Sequence, residues 1–333
     1  MKLLRQTGNC AIGFEDAPMP TPRAGEVIVK TVLSAICGSE LGIYRTGMPS
    51  GNAGHEAVGT IVDVAADVMS VARGQRVGVG AVSGCGKCEY CAARRFTWCR
   101  EVKFTWNMHA AFIAIPAMSC NVLPDDIGWE TGVLISGDGF GVPYHSSKYF
   151  HVPEEEAVAV IGLGPIGLGA VLMQSFLGRK VIGVDKAPDR IDHARRLGAS
   201  EVILAEEGTD VVQELRALTR GLGPVVCIEA AGTPGTVATC FAAVRCGGTV
   251  VFNGETRAKV LSPSADFIRK DVSAVGTWYF QSCEFPEMVS LVRRGLKPEV
   301  LISHRFEASE APTAFRMVSE GKTAKAVLRW PDG

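Results

Sequence analysis

Three side chains that lie far apart in the chain have the chemistry of a metal site. Cys37 lies in an Ile-Cys-Gly-Ser-Glu segment, His55 in Gly-His-Glu, and Asp138 in Ser-Gly-Asp-Gly-Phe. A thiolate, an imidazole and a carboxylate suit Zn²⁺, and three protein ligands leave a fourth position open for a substrate. The alternatives are that Cys37 is a small buried hydrophobic residue and that Asp138 only forms a turn. We interpret the three together as an open zinc site.

A second candidate metal site consists of four cysteines in a short polar loop. Cys85, Cys88 and Cys91 have the spacing Cys-x2-Cys-x2-Cys, and Cys99 follows after seven further residues. Four thiolates in such a loop predict a closed tetrahedral Zn²⁺ site, and metal binding then supplies folding energy that the loop lacks. An iron–sulfur cluster and a redox disulfide are the alternatives. Because a closed site has no vacancy, we expect a structural role.

A glycine-rich loop provides a candidate dinucleotide site. Residues 162–167 have the pattern G-x-G-x-x-G, follow a predicted strand and open a predicted helix, and Asp185 ends the next strand. In this context Gly162 permits a tight turn, Gly164 lets the backbone approach a pyrophosphate, and Gly167 allows close helix packing. The candidate cofactor-binding residues are Gly162, Gly164, Pro165, Ile166, Gly167, Asp185, Lys186 and Arg190.

The acidic residue after this loop predicts the choice of cofactor. Asp185 would accept hydrogen bonds from the adenosine ribose and would repel a 2′-phosphate, which favours NAD over NADP. Lys186 and Arg190 weaken this preference, because a nearby cation can accommodate that phosphate. A glycine-rich turn without any ligand is the remaining alternative.

The elements that must position these residues fall into two patterns. Up to about residue 125 the sequence contains short β patterns bounded by glycine and proline, which predicts an antiparallel, barrel-like domain. From about residue 155 strands alternate with helices, which predicts a doubly wound parallel sheet. We therefore expect an α/β protein in which a Rossmann dinucleotide-binding domain at 141–279 accompanies a β-rich catalytic domain at 1–140 that is completed by 280–333.

Together, these motifs resemble the zinc-dependent medium-chain dehydrogenase/reductase family, which includes alcohol and polyol dehydrogenases. The resemblance covers essentially the whole chain and implies a GroES-like catalytic domain. It implies that Cys37, His55 and Asp138 bind a catalytic zinc and that Cys85, Cys88, Cys91 and Cys99 bind a structural zinc, giving two Zn²⁺ per chain.

The same resemblance implies roles for residues around the catalytic zinc. Glu56 corresponds to a glutamate that approaches the metal during ligand exchange, and Glu40 to an acidic residue that fixes the tautomer of the zinc-bound histidine. Ser39 corresponds to the hydroxyl that takes the alcohol proton, and Lys325 to a basic residue near the cofactor phosphates. The sequence departs from the family at Gly42, where many members have a proton-relaying histidine. Water, Tyr44 or the cofactor ribose is then left to carry the proton.

The expected activity is the reversible, NAD-linked oxidation of a secondary alcohol, in a polyol, sugar or cyclitol, to a ketone. The alternatives are a simple alcohol dehydrogenase or aldehyde reductase that uses NADP(H), and a non-enzymatic NAD(P)-binding member of the family. The polyol preference follows from the family resemblance of the segment around Cys37.

Composition excludes several other classes of protein. The 333 residues carry a net charge of −1 without a basic block, so we expect no nucleic-acid partner. We find neither a signal peptide nor a membrane-spanning apolar run, and we therefore expect a cytoplasmic protein. An odd number of cysteines, 11, does not suit a disulfide framework. The family resemblance implies a homodimer or homotetramer.

Overall fold

A computed structural model describes residues 1–256 and 260–331 of the chain. Internal contacts divide it into two units. The first contains Met1–Gly141 and the chain from Phe280 onward, and the second contains Val142–Tyr279. Within the described residues, no helix has both the length and the apolar character needed to cross a membrane.

The strands of the described chain are numbered in order. They are β1 Lys2–Gly8, β2 Ala11–Asp16, β3 Glu26–Ile36, β4 Ala57–Val64, β5 Arg76–Val79, β6 Val82–Ser83, β7 Lys103–Phe104, β8 Phe112–Pro116, β9 Cys120–Val122, β10 Ala157–Ile161, β11 Lys180–Asp185, β12 Glu201–Leu204, β13 Val226–Glu229, β14 Thr249–Phe252, β15 Ser273–Gly276, β16 Ile302–Glu307 and β17 Lys325–Arg329. The α-helices are α1 Leu41–Thr46, α2 Glu89–Ala92, α3 Trp129–Ile135, α4 Asp138–Ser146, α5 Pro165–Phe176, α6 Pro188–Arg196, α7 Val211–Ala217, α8 Pro234–Ala243, α9 Phe285–Arg293 and α10 Ala311–Ser319.

The second unit is built on a parallel sheet with the strand order β12-β11-β10-β13-β14-β15. This order is that of a dinucleotide-binding doubly wound sheet. β10, the first strand of the unit along the chain, lies where the strand order reverses. Both faces of β10 are buried, as its run of alanine, valine and isoleucine requires. The parallel, doubly wound fold expected from the sequence is confirmed.

The first unit is organised around the long strand β3. Strands β4, β8 and β17 all pair with β3 in antiparallel fashion, and β5, β9 and β16 extend the same sheet. The apolar face of β3 and β17 packs on α10, where Phe315 is completely buried. The β-rich domain expected from the sequence is confirmed, and its sheet includes a strand from the tail of the chain.

Strand register brings three functional segments together. β3 ends at Ile36, immediately before Cys37, and β4 begins at Ala57, immediately after Glu56. The Ala35 N–H donates to the Glu56 carbonyl at 3.0 Å, and Ala326 of β17 lies opposite Ile36. The neighbouring ends of three paired strands therefore carry Cys37, His55-Glu56 and Lys325.

Candidate metal centre

Four side chains of the first unit converge on one point. Cys37, His55, Glu56 and Asp138 each offer a ligand atom, and these atoms all lie within 4.8 Å of one another. Asp138 Oδ2 lies 3.0 Å from His55 Nε2 and 3.5 Å from Cys37 Sγ. The structure thus assembles residues that are 101 positions apart in the chain.

The donor set fits a zinc ion. Asp138 Oδ1 is buried and has no hydrogen-bond partner, which is costly unless another group satisfies the oxygen. A sulfur, an imidazole nitrogen and a carboxylate oxygen are the donors that zinc prefers, and three of them leave one position for a substrate. Cys37, His55 and Asp138 are therefore suited to hold the ion.

The position of Asp138 differs from the glycine-flanked loop expected from the sequence. Asp138 is the first residue of α4, so its carboxylate lies at the positive end of the helix. The flanking glycines leave room for the side chains packed around it. A Cβ atom at Gly137 would lie 2.5 Å from Glu56 Oε2, and one at Gly139 would lie 2.8 Å from Leu134 Cδ2. The glycines thus allow α4 to start close to the ligands.

The hydrogen bonds of His55 fix its tautomer. Its Nδ1 lies 2.9 Å from the Ala53 carbonyl oxygen, which can only accept, so Nδ1 carries a proton and Nε2 is directed at Asp138. Burial opposes a charge on His55, but hydrogen bonds with Asp138 and Cys37 outweigh it and hold its pKa well above the usual value. Without a metal, the site therefore holds a proton at the place where a cation fits.

This proton predicts the pH dependence of metal binding. Zinc must displace the His55 proton, so we expect affinity at this site to fall about tenfold or more per pH unit as pH decreases below the raised His55 pKa. Chelator competition between about pH 5 and 8 measures this slope. A His304→Gln variant, which alters a histidine outside the site, should show the same slope. An affinity independent of pH would contradict the prediction.

The partner of Glu40 differs from the one expected. The hydrogen bonds of Glu40 go to other groups: its Oε2 lies 3.0 Å from His109 Nε2, and its Oε1 accepts the Cys37 N–H at 2.9 Å. Burial opposes the charge on Glu40, but His109 outweighs it and lowers the pKa of the carboxyl. The carbonyl of Ala53, rather than Glu40, fixes the tautomer of His55.

Lys325 is also placed differently from the expectation of a cofactor-phosphate contact. Its side chain is 1% exposed, and its ammonium group donates to Glu56 Oε1 within the first unit. Burial opposes the charge on Lys325, but the negative charges of Glu56 and Cys37 outweigh it and raise its pKa above the usual value. The Ser303 hydroxyl donates to the Lys325 carbonyl and accepts the Ala324 N–H, which fixes the backbone here. Lys325 is therefore the counterion of this acidic site.

The residues named for proton transfer differ in exposure. Ser39 is exposed, two residues after Cys37, in the 3₁₀ turn Gly38–Glu40. A Cβ atom at Gly42 would meet no heavy atom within 4 Å, so this position has room for water. Tyr44 is 3% exposed and packs on Phe315 in a hydrophobic cluster. The surroundings of Tyr44 therefore argue against it as a proton carrier.

Two aromatic rings border the metal centre. The ring centroids of Phe104 and Trp106 lie 5.4 and 5.8 Å from that of His55, and 4.4 Å from each other. Trp106 is 46% exposed although its ring touches a candidate ligand. An exposed aromatic face beside an open metal position can contact the C–H groups of a substrate.

The four cysteines of the second candidate site form a compact group. Their neighbouring Sγ atoms are 3.5 to 3.9 Å apart, and a tetrahedral Zn²⁺ with 2.3 Å bonds requires roughly 3.8 Å. Backbone N–H groups of Lys87 and Cys88 lower the pKa of Cys85 to about 7, whereas burial raises that of Cys91 to about 12. A metal ion would hold all four as thiolates, and the donor set fits zinc.

Replacing Cys85 with serine should destabilise the protein without directly affecting the Cys37 site. The loop loses one of four ligands and with it the folding energy of metal binding, so we expect the melting temperature to fall by about 5 °C or more and the zinc content to fall by one. Calorimetry and metal analysis measure both. Cys246→Ser changes an exposed cysteine outside either site and should have neither effect. An unchanged melting temperature for Cys85→Ser would exclude a structural metal.

The glycine loop of the second unit has the geometry expected from its sequence. Gly162 has φ 95°, and a Cβ atom at Gly167 would lie 1.8 Å from the Gly162 carbonyl oxygen. Pro165 begins α5, with Ile166 next to it, so the N-terminus of the helix follows the loop directly. Gly164 has open space around its Cα, which leaves its backbone accessible. These features suit a pyrophosphate at the helix N-terminus.

Asp185 has a structural role that its motif position did not reveal. Oδ2 accepts the Leu163 N–H of the glycine loop at 2.7 Å, and Oδ1 accepts the Ala187 N–H at 2.9 Å. Arg190 Nη1 lies 3.6 Å from Oδ2, while Lys186 is exposed. The carboxylate therefore holds the glycine loop in place.

Comparison with known families identifies the class of protein. The alcohol dehydrogenase GroES-like domain matches residues 23–125, and the zinc-binding dehydrogenase domain matches residues 165–294. The chain belongs to the zinc-dependent medium-chain dehydrogenase family. It is thus an oxidoreductase of the alcohol dehydrogenase class, as the sequence motifs predicted.

Individual relatives resemble the chain over nearly its full length. L-Threonine 3-dehydrogenase of Pseudoalteromonas atlantica is 29% identical, over 96% of this chain and 96% of its own. Probable D-xylulose reductase A of Aspergillus clavatus is 29% identical, over 95% of this chain and 93% of its own. The crystal structure of a short chain alcohol dehydrogenase from Escherichia coli CFT073, complexed with NADH, is 26% identical with a TM-score of 0.87 and covers 99% of both chains.

Proposed function

We propose that the protein catalyses the reversible, NAD-linked oxidation of a secondary alcohol in a polyol, sugar or cyclitol, at a zinc ion held by Cys37, His55 and Asp138. The observation that carries this proposal is the convergence of these three ligands around the unpaired Asp138 Oδ1. A bound zinc would polarise the substrate oxygen and lower the pKa of the alcohol. The nicotinamide of a bound NAD would accept the hydride.

The residues of the chain would orient the substrate and move its proton. The exposed Ser39 hydroxyl is suited to accept the alcohol proton, and water near Gly42 would pass it to solvent. The exposed ring of Trp106, beside His55, would contact the C–H groups of a polyol. Burial and the charge of Asp138 raise the pKa of Glu56, and the ammonium group of Lys325 opposes this rise and so favours the carboxylate.

The polyol assignment is supported by the relative named D-xylulose reductase, whereas the relative named L-threonine 3-dehydrogenase supports an amino alcohol. A substrate panel therefore tests it. Zinc-loaded protein is assayed with NAD against pentitols, hexitols, cyclitols, L-threonine and simple monoalcohols, and in reverse against ketoses. We expect the highest kcat/KM for a polyol or ketose. A preference for monoalcohols or L-threonine would overturn the substrate class, and no turnover on any substrate would overturn the enzymatic proposal.

The proposal that NAD is preferred predicts the effect of changing Asp185. Asp185→Asn keeps one oxygen for the backbone N–H groups but removes the negative charge and one acceptor, so we expect the ratio of kcat/KM for NAD over NADP to fall by about tenfold. Steady-state kinetics with both cofactors measure the ratio. Asp192→Asn, on the exposed face of α6, should leave it unchanged. An unaltered ratio in Asp185→Asn would exclude a ribose contact.

We further propose that the chain forms a homodimer or homotetramer. β15 lies at one end of the parallel sheet, and its residues are mostly exposed, so its outer backbone groups are available to a strand of a second copy. Light scattering of the purified protein tests the assembly. A monomer at micromolar concentration would contradict it.

A further inference from the structure

A fully buried hydrogen-bond chain leads to the backbone of a candidate zinc ligand. Trp330 Nε1 donates to Ser34 Oγ at 2.9 Å, and Ser34 Oγ lies 2.8 Å from His109 Nδ1. His109 Nε2 lies 3.0 Å from Glu40 Oε2, and Glu40 Oε1 accepts the Cys37 N–H. Because a carboxylate only accepts, His109 Nε2 carries a proton and donates it to Glu40.

His109 also supports the segment that carries the second candidate ligand. A Cβ atom at Gly54, the residue before His55, would lie 2.5 Å from the His109 ring. Asn52 accepts the backbone N–H groups of both His109 and Gly54 through Oδ1, and it donates to the His109 carbonyl. The imidazole of His109 is thus fixed against both the Cys37 turn and the Gly54-His55 turn.

We propose that His109 is a positioning residue for the catalytic metal, acting through Glu40 on Cys37 and through contact with Gly54 on His55. Its ring is completely buried, so it touches neither substrate nor cofactor. This role rests on the proposed metal site, because it is defined by the placement of two of the three ligands. No motif identifies the residue, since its effect depends on contacts between distant segments.

The geometry distinguishes this role from simple filling of the core. A phenylalanine has nearly the same size and would suit the surroundings, where Phe315 packs edge-on against the ring at 5.7 Å. A core role would therefore depend on the ring and its packing. A positioning role depends on the hydrogen bond from His109 Nε2 to Glu40. Phenylalanine cannot make this bond, so the substitution leaves a buried carboxylate oxygen without its donor.

Metal affinity separates the two roles. In His109→Phe we expect zinc affinity at the Cys37 site, measured by chelator competition, to fall about 10- to 100-fold. The four-cysteine site in the same molecule should keep its affinity and serves as the internal control. With Co²⁺ at the Cys37 site, the thiolate-to-metal charge-transfer band should shift, because the sulfur changes direction. His109→Gln, whose amide can donate to Glu40, should recover most of the affinity.

Phe315→Leu is the matched control, since it loosens the packing on the same ring without removing a hydrogen bond. It should lower the melting temperature and leave the Cys37-site affinity within about twofold. The inference is overturned if His109→Phe keeps the wild-type affinity and Co²⁺ spectrum, or if Phe315→Leu weakens zinc as strongly.

If His109→Phe does not fold, Glu40→Gln replaces it. A glutamine at this position has one acceptor oxygen for two donors, so the same loss of affinity is expected, and wild-type affinity would overturn the inference. Failure of the proposed function is recognised separately. Wild-type protein that binds zinc only at the four-cysteine site would refute the catalytic metal itself. Two zinc ions in wild type, together with an unchanged Cys37-site affinity in His109→Phe, would refute only the role of His109.

Discussion

Replacing Cys37 with serine is expected to remove one zinc per chain and to reduce kcat by about a thousandfold or more. A serine hydroxyl is not ionised at neutral pH and is a poor zinc ligand, so the site loses one of its three protein donors. The several kcal/mol of transition-state stabilisation that a Lewis acid supplies correspond to at least three powers of ten in rate. Metal analysis and steady-state kinetics measure both effects.

A matched variant shows whether the loss is specific to the metal. Cys120→Ser changes another buried cysteine of the first unit that lies outside both cysteine-containing sites, and burial raises its thiol pKa to about 12. This variant should lower stability modestly and keep both zinc ions and the activity. Full activity in Cys37→Ser would refute its assignment as a catalytic ligand, and an equal loss in both variants would point to general destabilisation.

Replacing Lys325 with methionine is expected to lower the free energy of unfolding by about 3–5 kcal/mol, because it leaves the completely buried Glu56 without its counterion. The effect should be larger when metal has been removed from the site, since a bound cation also offsets the charge of Glu56. Denaturant unfolding with and without a chelator measures both values.

A second substitution tests the cause of this destabilisation. Adding Glu56→Gln to Lys325→Met removes the unpaired charge and keeps an acceptor for the Gly139 N–H, so the double variant should regain most of the lost stability. Such a recovery appears as a strongly favourable coupling energy in the double-mutant cycle. Additive losses would mean that Lys325 stabilises the protein by packing alone.

The sequence was most informative where local patterns determine structure. The sequence predicts a strand directly before the glycine loop and a next strand that ends at Asp185, and β10 and β11 lie at these places, because buried parallel strands are short apolar runs between turns. Strand β15 and helix α10 were not predicted. The sequence of β15 is short, rich in small residues and mostly exposed, so it has no apolar alternation to detect.

Within the candidate site, the sequence indicated residue types but not their partners. Cys37, His55 and Asp138 were found from their chemistry and flanking glycines, whereas the Glu40–His109 and Glu56–Lys325 pairs were not. These pairs join residues 69 and 269 positions apart, and their contacts depend on the register of β3 with its neighbours. The signal at His109 was weak: a single histidine just before the apolar strand β8.

The pairing of β17 with β3 determines the order in which the two units can fold during synthesis. The second unit is continuous in sequence, so it can fold as soon as its last strand leaves the ribosome. The first unit must wait, with the end of β3 at residues 33–36 lacking its β17 partner, until the whole second unit has been translated. Lys325 arrives with that late strand, so a nascent chain contains the acidic cluster before its neutralising cation. Chaperone protection or early metal capture during translation would then be most useful in this interval.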